Sequence, residues 1–169
     1  MTALTRDVPG SYLLVIRTRS RLDLTVGRLG PRALPRGWHV YVGRARRGLG
    51  ARLARHLAAG RPVRWHVDYL RQAGQVVEVW VVRGEAALEC ALARAVAALP
   101  GARRCPGFGS SDCRCPGHLI SFARRPPLGT LWPGLEPLPL AALQPVAPAP
   151  RARRGAGGRG GAGAGPAAL

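Results

Sequence analysis

The 169-residue chain has no lysine and no asparagine, and acidic residues are scarce. Its 26 basic residues are therefore all arginines, against 8 aspartates and glutamates, and the formal net charge is +18 at pH 7. A GC-rich coding sequence explains the choice of arginine over lysine, but it does not explain the excess of basic over acidic residues. Because a surface this positive attracts polyanions, we expect a nucleic-acid partner. DNA is the partner expected first, although charge does not distinguish DNA from RNA.

Long apolar runs are also missing. No stretch approaches the roughly 20 uninterrupted apolar residues that a membrane helix needs, so no membrane contact is expected. Asp7 and Pro9 lie where a signal peptide would have its apolar region, which predicts a cytoplasmic protein. In that compartment cysteines are expected as thiols or metal ligands rather than as disulfides. The 4 cysteines are Cys90, Cys105, Cys113 and Cys115.

Apolar periodicity predicts a mixture of strands and helices. Leucines recur at every fourth position from Leu49 to Leu57, and Leu88, Leu92 and Val96 mark the inward face of a later helix. The run 76–82 is the strongest strand signal and is expected at the centre of the sheet. Strands are predicted at 11–17, 22–26, 39–42, 76–82 and 118–122, helices at 49–59, 65–72 and 85–99, and loops at 27–37 and 101–117.

The character of the chain changes after Arg125. Residues 126–169 contain most of the prolines and end in an arginine- and glycine-rich stretch. Such a composition predicts a disordered tail, because it buries too little apolar surface to offset the entropy of ordering. We therefore expect one domain at 1–125 and a disordered tail at 126–169. The tail arginines either hold nucleic acid loosely or belong to a passive low-complexity segment.

Two short motifs and three later residues carry the functional signal. Gly10-Ser11-Tyr12 opens one predicted strand and Tyr41-Val42-Gly43 closes another, and Arg52, His56 and Glu89 follow. Two phenols, a guanidinium, an imidazole and a carboxylate suit phosphodiester hydrolysis, which needs an activated nucleophile and positive charge on the phosphate. In this order the residues resemble the GIY-YIG nuclease superfamily, and its DUF123 branch in particular.

Two further segments extend the resemblance over residues 9–122. Trp65-His66-Val67-Asp68-Tyr69-Leu70 and the run from Phe108 to Cys115 resemble hallmarks of the DUF123 branch. The resemblance implies an α+β fold with a small, mainly antiparallel sheet flanked by helices. Trp65 and Tyr69 are expected in the core, while His66 and Asp68 face elsewhere and are candidates for lining a cleft.

The resemblance also implies a role for each motif residue. Tyr12 would help to activate the attacking water, Tyr41 would lie near the phosphate, and Arg52 and His56 would complete the catalytic group. Glu89 would bind Mg²⁺, which takes few protein ligands and keeps most of its waters. Glu85 is a competing ligand, although its position at a helix start suits capping.

Arginines next to these motifs are expected to contact the substrate. They are Arg44, Arg46, Arg47 and Arg55. Arg44 directly follows the second motif, where the DUF123 branch commonly has serine, and Gly43 is expected to let the backbone turn tightly between strand and helix. The predicted activity is Mg²⁺-dependent endonucleolytic hydrolysis of DNA or structured nucleic acid. The alternatives are a non-catalytic nucleic-acid-binding module on the same fold and a zinc-stabilised interaction protein.

The cysteine-rich loop has two interpretations. Cys105, Cys113, Cys115 and His118 offer four candidate zinc ligands. A Cys-x-Cys pair is more cramped than the usual zinc spacing. A compact loop is therefore preferred, in which Asp112 and the serines cap backbone amides and the cysteines pack as small apolar groups.

Overall fold

The structure is a computed structural model, and it describes residues 8–143. It confirms an α+β fold with a mainly antiparallel sheet. The strands are β1 (Gly10–Thr18), β2 (Leu22–Val26), β3 (Gly30–Leu34), β4 (Gly37–Ala45), β5 (Gln75–Arg83), β6 (Arg103–Cys105), β7 (Leu119–Phe122) and β8 (Glu136–Leu138). The helices are α1 (Leu49–Leu57), α2 (His66–Ala73) and α3 (Glu89–Ala97), with short 3₁₀ turns at Gly27–Leu29, Ala86–Leu88 and Leu140–Leu143.

Six strands form one antiparallel sheet in the order β6-β7-β4-β1-β5-β8. The first strand is central, since β1 pairs along its whole length with β4 and also with β5. The run at 76–82 was expected to be central, but β5 is second from the edge and is covered by β8. Its apolar character follows from burial on both faces rather than from a central position.

The sheet has a core on each face because successive residues of a strand point to opposite sides. Leu14 and Ile16 of β1 pack on the side of α1, α2 and the β2–β3 hairpin. Leu13 and Val15 pack on the other side, against α3. The predicted inward positions Leu92 and Val96 of α3 are fully buried. The molecule therefore has three layers, with the sheet in the middle.

The prediction of a loop at 27–37 was wrong. Residues 30–34 form β3, which pairs with β2 in a separate two-stranded sheet. Glycines and prolines suggested a loop, but Pro31 is tolerated because a two-stranded sheet consists of edge strands. Residues 103–105 of the predicted 101–117 loop likewise form the edge strand β6.

The prediction of disorder from residue 126 onward was wrong for residues 126–143. Strand β8 pairs with β5, and four leucines within and around this strand are buried. These are Leu128, Leu135, Leu138 and Leu143. They are spaced irregularly between prolines, so their burial follows from docking against the sheet and leaves no periodic signal in the sequence. The expectation for residues 144–169 lies outside the described residues.

Candidate active-site cleft

A cleft of about 740 Å³ lies at the end of the sheet where β1 begins and β4 ends. It brings together most of the residues predicted from the two motifs, including both tyrosines, Arg52 and Glu89. Its lining consists of Tyr12, Tyr41, Arg44, Arg46, Arg47, Arg52, Arg64, Trp65, His66, Glu89, Gly109, Ser111 and Asp112. Five arginines against two carboxylates give the lining an excess of positive charge, which attracts anions.

Tyr12 lies at the inner wall of the cleft, and its position depends on Gly43. The two residues face each other across β1 and β4. A Cβ atom at position 43 would lie 2.5 Å from the phenol oxygen of Tyr12, so only glycine leaves room for the ring. The expected turn at Gly43 is therefore wrong, since the residue lies within β4. The glycine of the second motif, Gly43, thus leaves the space that the tyrosine of the first motif, Tyr12, occupies.

Behind Tyr12 lies a buried chain of polar groups. The phenol oxygen is 2.9 Å from Nε2 of His56, and Nδ1 of His56 is 3.6 Å from Oδ1 of Asp68. All three side chains are at most 1 % exposed. Asp68 in turn accepts hydrogen bonds from the backbone amides of Arg64 and Trp65, at 2.8 and 3.0 Å, and so caps the start of α2.

The protonation states of this chain follow from its environment. Burial acts against ionisation of Asp68, but the hydrogen bonds from His56 and the two amides outweigh it and lower the pKa of Asp68 to about 2. Burial lowers the pKa of His56 below its ordinary value and raises the pKa of Tyr12 well above its own. At neutral pH the chain is phenol, neutral imidazole and carboxylate, which allows the phenol to donate to Nε2 while Nδ1–H faces the carboxylate.

The second tyrosine lies beside the first, with ring centroids 6.4 Å apart. Burial raises the pKa of Tyr41 above its ordinary value, so it is a neutral hydrogen-bond donor at the cleft wall. Gly109 has a φ of +74° and approaches this ring so closely that a Cβ atom there would lie 2.7 Å from Cε2 of Tyr41. The backbone amide of Gly109 donates to Nδ1 of His66 at 2.9 Å. The cysteine-rich loop is thereby joined to the cleft.

Arg52 faces the cleft from α1. Its guanidinium carbon lies 4.3 Å from the ring centroid of Trp65, and no ion pair to Arg52 occurs within residues 8–143. Trp65 was expected in the core, but it is only partly buried and lines the cleft. A charged fork stacked on an indole is held in place without being neutralised, which leaves it available to an anion.

The other predicted arginines occupy different positions. Arg46 and Arg47 are exposed and line the cleft, and their contact with a substrate stays a prediction. Arg55 does not line the cleft: it packs on Trp65 at 4.5 Å, lies 3.7 Å from Asp68 and donates to the carbonyl of Pro62. Since its hydrogen bonds are used inside the domain, Arg55 supports the buried polar chain and the turn after α1.

Glu89 is the first residue of α3, and its side chain lines the cleft. Oε2 is 3.2 Å from Nε of Arg44, and Oε1 is 3.5 Å from Nδ1 of His118. Arg44 also donates to Oδ2 of Asp112 at 2.7 Å. The competing residue Glu85 is exposed and lies outside the cleft. Arg44 thus pairs with both carboxylates of the cleft lining.

Three cysteines and one histidine form a second cluster directly behind Glu89. The ligand atoms of Cys90, Cys113, Cys115 and His118 all lie within 4.8 Å of one another, and this Cys₃His set can bind a metal. The predicted set contained Cys105 instead, which is wrong, because Cys105 is buried in the apolar core beside β7. Cys90 was missed because it lies on α3, far along the chain from the Cys-x-Cys pair.

Sequence reasoning left two further residues of the site without a role. His66 and Asp68 had been named only as candidates for lining a cleft. His66 does line it, whereas Asp68 lies behind His56 and is almost fully buried. The spacing of the Trp65–Leu70 motif is the signal that could have separated them, since residues two apart in a helix lie on different faces and His66 and Asp68 both lie in the first turn of α2.

The chain belongs to the family described as Domain of unknown function DUF123, whose model matches residues 11–131. That span includes both motif tyrosines, the residues that line the cleft and the cysteine cluster. Comparison with curated proteins gives no match, and comparison with solved structures gives none either. Within residues 8–143, no helix combines the length and apolar character that crossing a membrane requires.

Proposed function

We propose that the cleft hydrolyses phosphodiester bonds in nucleic acid, with Mg²⁺ as cofactor and DNA as the expected substrate. The observation that carries the proposal is the buried chain from Tyr12 through His56 to Asp68, which ends at a cleft lined by arginines. A histidine held between a hydroxyl and a carboxylate is the arrangement by which enzymes move a proton from a nucleophile. The resemblance to GIY-YIG nucleases noted in the sequence supports the same assignment.

Proton transfer follows the order of the groups. A water at the cleft face of Tyr12 gives its proton to the phenol oxygen as the phenol proton passes to Nε2 of His56. Asp68 stabilises the imidazolium that forms, because its low pKa keeps the carboxylate charged. Tyr12 need not ionise fully, which its raised pKa would oppose. This arrangement makes Tyr12 a proton shuttle and His56 the proton acceptor.

Positive charge for the phosphate comes from the arginines. Arg52 carries a guanidinium that is stacked on Trp65 and has no ion-pair partner within the described residues, so it is the best placed group for the non-bridging oxygens. Arg46 and Arg47 lie at the rim and would hold the neighbouring phosphates of a longer strand. Arg52 therefore contributes to the chemical step, whereas the rim arginines contribute to affinity.

The donor groups fit one Mg²⁺ at Glu89. Its Oε2 atom is buried without a hydrogen bond, and one carboxylate plus phosphate oxygens and water is a common Mg²⁺ environment. Bound there, the ion would supply charge to the leaving oxygen. Arg44 lies 3.2 Å from the same oxygen, so the two cations compete. We infer that Mg²⁺ binds together with the substrate, whose phosphate draws Arg44 away.

The ion pairs of Arg44 also favour the second candidate function, a nucleic-acid-binding module without catalysis. In the structure, Arg44 pairs with Glu89 and Asp112, the two carboxylates of the cleft. If the pairs persist when nucleic acid binds, neither of these two carboxylates is free to hold a metal ion. Binding and cleavage must therefore be measured on the same preparations.

The test uses purified protein and labelled linear DNA, single-stranded DNA, branched DNA and RNA, with and without Mg²⁺. Cleavage is expected only with Mg²⁺. Arg52→Ala should lower the cleavage rate by about 10²–10³-fold while binding changes little, because one guanidinium is aimed at the reacting phosphate. Arg94→Ala, which removes an exposed arginine of α3 outside the cleft, is the charge-matched control.

Glu89→Gln should abolish the Mg²⁺-dependent cleavage, because the amide lacks the charge that would hold the ion, and Glu85→Gln should leave the cleavage unchanged. Binding without cleavage of any of the four substrates would establish the binding module instead. Equal losses of affinity in Arg52→Ala and Arg94→Ala would mean that Arg52 is one general contact among many.

A further inference from the structure

We propose that Cys90, Cys113, Cys115 and His118 bind one zinc ion, which fixes the cysteine-rich loop to α3 and holds Glu89 in place through His118. The inference is independent of the nuclease proposal, since its readouts are metal content and metal spectroscopy. Three sulfurs and one imidazole nitrogen are a ligand set that zinc prefers. All four positions of a tetrahedron are filled by the chain, which is typical of a structural site.

The distances agree with a tetrahedral zinc site. With Zn–S of about 2.3 Å and Zn–N of about 2.0–2.1 Å, neighbouring ligand atoms lie about 3.6–3.8 Å apart. Nε2 of His118 is 3.5 Å from Sγ of Cys113 and 3.8 Å from Sγ of Cys90. These two nitrogen–sulfur distances are therefore already close to those that the ion requires, and every other pair of ligand atoms lies within 4.8 Å.

The ligands of the cluster come from separate parts of the chain. Cys90 is the second residue of α3, whereas Cys113 and Cys115 lie on the loop before β7. The base of that loop is closed by hydrogen bonds from the His118 amide to the Phe108 carbonyl and from the Gly107 amide to the Pro116 carbonyl. Within the loop no regular secondary structure holds the cysteines against α3, so a metal ion would provide the link.

His118 connects the cluster with the cleft. Its side chain is fully buried, Nε2 faces the sulfurs and Nδ1 lies 3.5 Å from Oε1 of Glu89. Nδ1 is buried without a hydrogen-bond partner within residues 8–143. Zinc at Nε2 would fix the tautomer with the proton on Nδ1, and that proton would then be donated to Glu89. A carboxylate behind a zinc-bound histidine is a recurrent arrangement that orients both groups.

Glu89 would thus be held from two sides. Its neighbour Cys90 is tied to the metal through the backbone of α3, and its own carboxylate is tied through His118. Glu89 is a positioning residue for the zinc site, not a ligand, because it is not among the four groups whose ligand atoms cluster.

The first measurement uses the unmodified full-length protein and the metals alone. After removal of bound metal with a chelator, Zn²⁺ is expected to bind at about one ion per chain. Co²⁺ should give the intense visible bands of a tetrahedral thiolate site and should be displaced by Zn²⁺. Failure to take up zinc, or a cobalt spectrum of octahedral type, would overturn the proposal without any variant being made.

Variants then assign the ligands. Cys90→Ser and Cys113→Ser should lose the stoichiometric zinc and the tetrahedral cobalt spectrum, whereas Cys105→Ser should keep both. The same loss in Cys105→Ser as in Cys90→Ser would return the assignment to the set predicted from the sequence.

The role of Glu89 is tested by competition with a chromogenic chelator. Glu89→Gln should keep one zinc and an unchanged cobalt spectrum, but should bind zinc about 10- to 100-fold more weakly. Glu85→Gln is the matched control and should keep the affinity of the unmodified protein. An altered cobalt spectrum in Glu89→Gln would make Glu89 a ligand, and an unchanged affinity would overturn its positioning role.

Discussion

His56 and His118 share two features of their surroundings and differ in a third. Both are fully buried, and each has a carboxylate oxygen facing Nδ1, at 3.6 Å from Asp68 and at 3.5 Å from Glu89. They differ at Nε2. His56 faces the phenol of Tyr12 at 2.9 Å, whereas His118 faces the thiols of Cys113 and Cys90 at 3.5 and 3.8 Å.

This comparison shows that an acid and a histidine do not define a function by themselves. The carboxylate sets the orientation and basicity of the imidazole in both places, and the group at Nε2 decides what the imidazole does. A phenol at a cleft allows proton transfer, while a set of thiols favours a metal. The two carboxylates also differ in their other contacts. Asp68 accepts hydrogen bonds from two backbone amides, whereas Glu89 forms an ion pair with Arg44 at the wall of the cleft.

The largest expected effect comes from removing the hydroxyl of Tyr12, which is the group that faces Nε2 of His56. Tyr12→Phe keeps the ring that packs over Gly43 but removes the hydroxyl, so the proposed proton path ends at His56. Single-turnover cleavage should slow by about 10²–10⁴-fold. Tyr69→Phe removes a phenol outside the cleft lining and should leave the rate unchanged. Equal rates for Tyr12→Phe and the unmodified protein would remove Tyr12 from the mechanism.

The second prediction compares the two carboxylates by stability. Asp68→Asn should lower the free energy of unfolding by about 2 kcal/mol, because an amide oxygen is a weaker acceptor than a carboxylate for Nδ1–H of His56 and for the two backbone amides at the start of α2. Glu89→Gln should cost less, since no backbone amide donates to Glu89 among residues 8–143. Urea unfolding at pH 7 measures both. A larger loss in Glu89→Gln would reverse the proposed difference between the two pairs.

The third prediction concerns a buried histidine that pairs with no carboxylate within residues 8–143. His39 lies between Thr18 and Ser121, and burial lowers its pKa to about 4. The unfolded chain has the ordinary pKa of about 6.5, so it binds the proton first as the pH falls. Stability is therefore complete above pH 6.5 and is lost progressively towards pH 4.

Melting temperatures of the unmodified protein and of His39→Gln across this range provide the check for the third prediction. The variant should show a shallower decline, and identical slopes would exclude His39 as a source of the acid sensitivity. His56, whose pKa is also lowered by burial, accounts for part of the decline that remains in the variant.

Much of the fold was predictable because the signals are local. Alternating or continuous apolar residues at 11–17 and 76–82, and leucines four apart at Leu49 and Leu53, predict strands and a helix from the spacing of side chains alone. The hairpin strand β3 and the strand β8 were not predictable in this way. Prolines in both segments are typical of loops and tails. The segments are strands only because β3 pairs with β2 and β8 pairs with β5.

The candidate site also contains residues that the sequence predicts and residues that it does not. Its motif residues Tyr12, Tyr41, Arg52 and Glu89 could be named from the sequence by resemblance, because each lies in a short motif or at a recognisable place on a helix. The partners that define their chemistry could not. Arg44 beside Glu89 and Cys90 beside the Cys-x-Cys pair are distant along the chain and meet because α3 packs against β4 and β7. Asp68 reaches His56 because α1 and α2, which follow each other in the chain, are folded against each other. The sequence alone thus determined which chemical groups were present, whereas the tertiary structure decided which of them are neighbours, since contact between residues far apart in sequence depends on how the strands pair.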